Sequence, residues 1–188
     1  EISGVLMEQG KMKESQDAMK ESLKVASEIT DDDFKSDAYR EISKELMGQG
    51  RMKESLKVAS EITDGRIKPI AYMEISKVLM EQGKMKESHD AMKESLKVAS
   101  EIADDLDKSY AYMEISKVLM KQGKRNEAIQ IVEKIKKGSE RSETFNHFGK
   151  TLAFEEAQNI INTISSEDNQ SAVIEGMSKR IYVQMELT

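Results

Sequence analysis

The sequence has no cysteine, no tryptophan and a single proline. Without cysteine there is no disulfide, no thiolate metal site and no cysteine nucleophile, a composition that suits a reducing compartment. With one proline, little interrupts helix formation. Aromatic residues make up only 5%, so a core must be filled by other side chains, and thirteen methionines are available for that. Methionine is flexible and polarizable; it fills irregular gaps and also serves adaptable binding surfaces. No apolar run approaches the ~20 residues of a membrane-spanning helix, so no membrane association is expected. Clustered positive charge is also lacking. Net charge is −6, and lysines alternate with glutamates, as in Lys11-Met12-Lys13-Glu14. Displacing counterions from a nucleic acid needs a basic stripe, so no nucleic-acid partner is expected.

Chemistry is equally sparse. There is no glycine-rich phosphate loop, nucleophile elbow or His-x-x-x-His pair. Of the two histidines, His89 stands where an otherwise matching copy has Gln16, an exchange no ligand or general base survives. His147, between Phe145 and Phe148, reads as a packed or surface residue. Carboxylates such as Glu14, Glu54, Glu87 and Glu94 lie three or four residues from lysines and form ordinary helix-supporting pairs. Neither enzymatic activity nor a metal or other cofactor is expected.

What the sequence does hold is a repeat. Glu-Ile-Ser begins at Glu1, Glu41, Glu74 and Glu114, at spacings of 40, 33 and 40 residues. Residues 7–29 and 80–102 are identical except at position 16/89, so a unit of 73 residues is duplicated, each holding one long and one short repeat. The seven-residue difference is Gln16–Ser22 in one copy and His89–Ser95 in the other. Seven residues are close to two turns, so the insertion lengthens a helix by ~10 Å without rotating its apolar face. Met12, Ser15, Met19, Ser22, Ala26 and Ile29 form a weak heptad seam.

Each repeat reads as two helices. Helix A is clear in residues 71–80, where Ala71, Tyr72, Ile75 and Leu79 share a face. Gly10, Gly50, Gly83 and Gly123 follow helix A, where a left-handed residue ends a helix. Helix B runs over 85–102, or 52–62 in the short form. The Asp31-Asp32-Asp33, Asp64-Gly65 and Asp104-Asp105 turns are read as caps of the next helix. They lack the spacing of a calcium loop.

A 33-residue period of two helices resembles the tetratricopeptide repeat. Tyr39 sits at that family's first aromatic position, Ile42-Ser43 where Leu-Gly is usual, and Leu46 at the later aromatic position. Gly50 precedes helix B, Ser55 and Ala59 take its small and aromatic positions, and Ile62 its last small position. Gly123, Ala128, Val132 and Ile135 follow the same frame. The sequence departs from the family in its period, in serine for the small residue, in the missing terminal proline and in the heptad insertion. The resemblance implies an all-α fold: a right-handed α-solenoid of antiparallel helix pairs, about five repeats with alternating long and short B helices. Repeats are expected over 1–138, in units starting near 1, 34, 67 and 107. Residues 139–188, where Phe145, Phe148 and Phe154 appear, are expected to be a divergent repeat and capping helix of the same solenoid, with a separate domain as the alternative.

The family's concave surface is lined by helix A. Carried over, this places Arg40, Met73 and Met113 at one level, Lys44, Lys77 and Lys117 at the next, and Met47, Met80 and Met120 at a third, with Glu41, Glu74 and Glu114 near the lysines. The family's Lys/Asn/Arg clamp for chaperone tails is absent from these positions. The expected function is a non-catalytic scaffold that binds a protein or peptide, the methionine rows serving either as groove or as packing. Self-association into a weak homodimer through the long B helices is one alternative. The other is the sensor or regulatory portion of a larger bacterial regulator or secretion-related protein. The chain begins within a repeat and is read as a fragment of a cytoplasmic protein, with an upstream signal left open.

Overall fold

A computed structural model of the chain describes residues 2–136, 138–152 and 154–186. It is all-helical, with eleven helices and no strand among the described residues: α1 (Ile2–Glu8), α2 (Met12–Glu28), α3 (Asp32–Gly48), α4 (Met52–Ser60), α5 (Ile67–Glu81), α6 (Met85–Glu101), α7 (Asp105–Lys121), α8 (Arg125–Lys134), α9 (Ser139–Thr151), α10 (Phe154–Thr163) and α11 (Glu167–Glu186). The B-type helices α2, α4, α6 and α8 are 17, 9, 17 and 10 residues long, so the seven-residue insertion does extend a continuous helix. None of the described helices is long and apolar enough to cross a membrane.

The turn chemistry follows the sequence closely. Gly10, Gly50, Gly83 and Gly123 all have φ of 74–75°. In each turn the glycine N–H and the next N–H bond back to the closing helix: Gly83 to Met80 at 2.9 Å and Lys84 to Leu79 at 2.9 Å, for example. This paired pattern satisfies carbonyls that the helix leaves open. The Asp carboxylates cap as expected: Asp31 accepts from Phe34 N–H, Asp104 from Leu106 and Asp107 N–H, and Asp64 from Arg66 and Ile67 N–H. Pro69 sits within the first turn of α5, where the missing N–H has no intrahelical acceptor to lose.

The chain divides into two compact units, Glu1–Ile102 and Ala103–Thr188. In the first, α1 packs on α2, α3 on α4 and α5 on α6, while α3 also meets α2 and α5, and α4 meets α5. Every pair crosses at a buried serine couple twelve residues apart. Ser3 and Ser15 each donate to the other's carbonyl oxygen at 2.9 and 2.8 Å; Ser76 and Ser88 do the same at 2.8 and 2.7 Å; Ser55 donates to the Ser43 carbonyl at 2.6 Å. A serine is small enough for close helix approach, and its hydroxyl finds an acceptor there, so it is not a buried unsatisfied group. Leu46, Met47, Ala59, Ile62, Ile75 and Leu79 lie in the apolar core around these crossings.

In the second unit α7 packs on α8, and α9 packs against α7, α8 and most extensively α11, while α10 meets α11. Residues 139–186, expected to cap the array, thus share a unit with α7 and α8. Phe145 and Phe148, both fully buried, meet edge to face with ring centres 6.0 Å apart. Arg141 donates from Nε to the Ile135 carbonyl at 2.8 Å and from Nη2 to that of Glu133 at 2.7 Å, closing the end of α8. The α9–α11 crossing is a glycine contact: Gly149 faces the Val173 backbone, and Gly176 faces the Asn146 backbone.

Candidate functional site

The helix A surface carries the candidate residues, and their environments differ. Met47 is 0% exposed, and Met73 and Met120 are each 6% exposed. These three are packing residues, so of the two readings of the methionine rows, packing holds for them and placement on an open groove does not. The reason is that a helix A has neighbours on more than one side: α3 packs on α2, α4 and α5, and α7 on α8 and α9. The buried arc is therefore wider than one stripe, and Leu46 and Met47 are enclosed together. Met80 and Met113 are half-buried, Lys44 and Lys77 exposed, and Arg40 and Lys117 half-buried.

In the first unit, α3 and α5 bring Arg40, Lys44, Lys77 and Glu74 onto one face. Arg40 lies 2.9 Å from Glu41, 3.5 Å from Asp37 and 3.5 Å from Glu74 across the helix pair. Arg40 Nε and Glu74 Oε2 are buried without a hydrogen-bond partner, so the pair is held by charge more than by directed bonds. Burial pushes the Glu74 carboxyl above its ordinary range, outweighing the opposing pull of Arg40, Lys44 and Lys77. The folded state thus holds a proton more tightly than the unfolded chain does. Stability falls as pH rises from the ordinary glutamate range through that raised value. Glu74→Gln is expected to be at least as stable as the parent at neutral pH, with its advantage vanishing at acid pH. Thermal melts across pH check this; a variant less stable at neutral pH than at acid pH, relative to the parent, would contradict it.

In the second unit, Lys117 and Met120 line a cavity of about 290 Å³ with Lys121, Arg125, His147, Phe148, Leu152 and Glu156. Met120, Phe148 and Leu152 give it apolar walls; Lys117, Lys121 and Arg125 give it positive charge. Lys117 pairs with Glu114 at 2.7 Å, and Arg125 pairs with Glu156 while its buried Nε has no hydrogen-bond partner. Burial lowers the affinity of His147 for its proton, and Lys117 and Lys121 lower it further. A neutral imidazole beside two ammonium groups is a site that gains a proton when an anion arrives. Among the described residues, no group of three or more His, Cys, Asp or Glu is placed to hold a metal ion.

The sequence reading missed Lys121, Arg125 and His147 as members of one site. Part of the signal was legible, since Lys117 and Lys121 are one helical turn apart. His147 joins them through the packing of α9 on α7, which no local pattern specifies. No family model, curated protein or solved structure matches the chain.

Proposed function

We propose that the chain is a non-catalytic helical-repeat scaffold, a tetratricopeptide-like solenoid of helix pairs, that binds a protein or peptide segment presenting an acidic side chain next to an apolar one. The observation that carries the reading is the cavity on α7, α8 and α9, which combines Lys117, Lys121, Arg125 and His147 with Met120, Phe148 and Leu152. A carboxylate in such a cavity meets charge-assisted donors in a partly dry setting, and the apolar walls take a neighbouring side chain. The overall charge of −6 opposes the long-range approach of any anion, so attraction for a carboxylate is confined to the cavity itself.

The test is fluorescence anisotropy with two sets of labelled peptides, one alternating Asp or Glu with Leu or Phe, the other carrying Lys in place of the acids. The acidic set is expected to bind saturably. Lys121→Glu is expected to weaken it about tenfold, or 1.4 kcal/mol. Affinity should rise as pH falls through the histidine range, because a bound carboxylate favours protonated His147; His147→Gln should flatten that slope. Equal binding of both sets, or acidic binding untouched by Lys121→Glu, would sink the reading.

A further inference from the structure

The repeats supply an internal reference for the cavity on α7, α8 and α9. Seven residues after the start of each Glu-Ile-Ser stand Glu8, Gly48, Glu81 and Lys121. Eleven residues after it stand Met12, Met52, Met85 and Arg125. Only the fourth repeat carries a basic residue at either place, and both of its bases line the cavity. The added cations therefore sit where α9 and α10 contribute His147 and Glu156. Two of the cavity's cations already face a carboxylate of this chain. Lys117 pairs with Glu114 at 2.7 Å on its own helix, and Arg125 pairs with Glu156 of α10.

The second of these pairs is incomplete. Arg125 Nη2 donates to Glu156 Oε1, while Arg125 Nε is buried without a hydrogen-bond partner. A guanidinium offers Nε and Nη2 as a planar fork, which a carboxylate fills with both oxygens. The chain shows that arrangement elsewhere: Arg51 Nε and Nη2 donate to the two Glu54 oxygens at 2.9 and 2.7 Å. Glu156 thus fills half of what Arg125 offers. A buried N–H left unpaired is costly, so a ligand that satisfies it gains over the resident carboxylate. The Glu156 side chain is 37% exposed, and a turn outward keeps its charge hydrated.

Resting on the carboxylate reading of this cavity, we infer that Glu156 is a placeholder whose displacement sets the selectivity of the site: a ligand carboxylate docks on the Arg125 fork through both oxygens, and Glu156 turns out to solvent. A segment that presents an acid to the fork gains more than it loses by displacing the resident. A neutral or basic segment gains nothing there and leaves the Arg125–Glu156 pair closed. Affinity is thereby held below what the cations alone would give, and contrast between acidic and other segments is raised.

The experiment titrates the acidic and the lysine-bearing peptide sets onto the parent chain, Glu156→Gln, Arg125→Lys, the double variant of those two, and Glu155→Gln. Glu156→Gln keeps the side chain's size and removes the competing charge. It is expected to tighten the acidic set about fivefold, the upper worth of a partly exposed pair, and to leave the lysine set unchanged. Arg125→Lys keeps the charge and loses the fork, so it should weaken the acidic set, and the gain from Glu156→Gln should vanish in the double variant. Glu155 is exposed on α10 and outside the cavity. Glu155→Gln makes the same change in net charge and should leave affinity as it is. Acidic binding of equal strength in the parent and Glu156→Gln, or weaker in Glu156→Gln, overturns the inference and leaves the proposed function standing. An equal gain from Glu155→Gln, or a gain that survives Arg125→Lys, overturns it in favour of overall charge. No binding of the acidic set to any of these chains sinks the carboxylate reading and the placeholder with it.

Discussion

Gly176→Ala is expected to cost on the order of 3 kcal/mol and to release α11 from α9. A helical glycine replaced by alanine ordinarily gains about 0.5–1 kcal/mol, because alanine loses less backbone freedom on folding. Here the sign reverses. A Cβ on Gly176 would fall onto the Asn146 carbonyl oxygen and within 3.0 Å of Lys150 N; one on Gly149 would fall onto the Val173 carbonyl and within 2.9 Å of Met177 N. These neighbours are backbone atoms of a packed helix, so relief requires the two helices to separate. Gly48→Ala is the internal control: Gly48 ends α3, and nothing lies within 4 Å of its Cβ position, so it should be neutral or stabilising. Denaturant midpoints for Gly176→Ala, Gly149→Ala and Gly48→Ala, with hydrogen exchange over residues 139–180, distinguish the cases. Gly176→Ala with undiminished protection of α9 and α11 would mean the helices do not meet at these glycines.

The second large effect belongs to the serine crossings. Ser88→Leu is expected to destabilise the first unit by about 3 kcal/mol, since a residue 3% exposed between two helix backbones has no space for the added carbons. Ser88→Ala should cost only about 1 kcal/mol, the net worth of a hydrogen bond whose acceptor keeps its helical partner. The fourth helix pair already shows that alanine fits: Ala128, twelve residues after Ser116, holds the corresponding place and is fully buried. Urea unfolding of both variants checks the contrast. A Leu variant no weaker than the Ala variant would show that the crossing is loose.

Both predictions rest on close approach, and the two glycine types show how differently that reads in a sequence. Gly10, Gly50, Gly83 and Gly123 recur at matched positions, so their role as left-handed helix stops was legible, and all four have positive φ. Gly149 and Gly176 each occur once, inside helices, where local pattern reads them only as weak points. Their purpose lies in a contact between elements 27 positions apart in sequence, and nothing local encodes it. The serines fall between these cases. Their recurrence marked them as the small residue of each repeat, while their mutual hydrogen bonds emerged only when the helices were placed side by side.

The candidate site divides in the same way. Arg40, Lys44 and Lys77 were placed by carrying over the helix A surface of the resembled family; Lys44 and Lys77 are exposed, and Arg40 is half-buried. Met47, Met73 and Met120 stayed open between groove and packing because methionine suits either surface or core, and the width of the buried arc depends on how many neighbours a helix has. The sequence by itself determined the helix pairs of residues 1–136, the seven-residue difference between long and short B helices, the glycine stops, the Asp caps and the duplication, since each follows from interactions within a few turns of chain. Tertiary structure alone decided which methionines are enclosed and that His147 joins Lys117 and Lys121. Those outcomes depend on which distant backbone arrives at a surface.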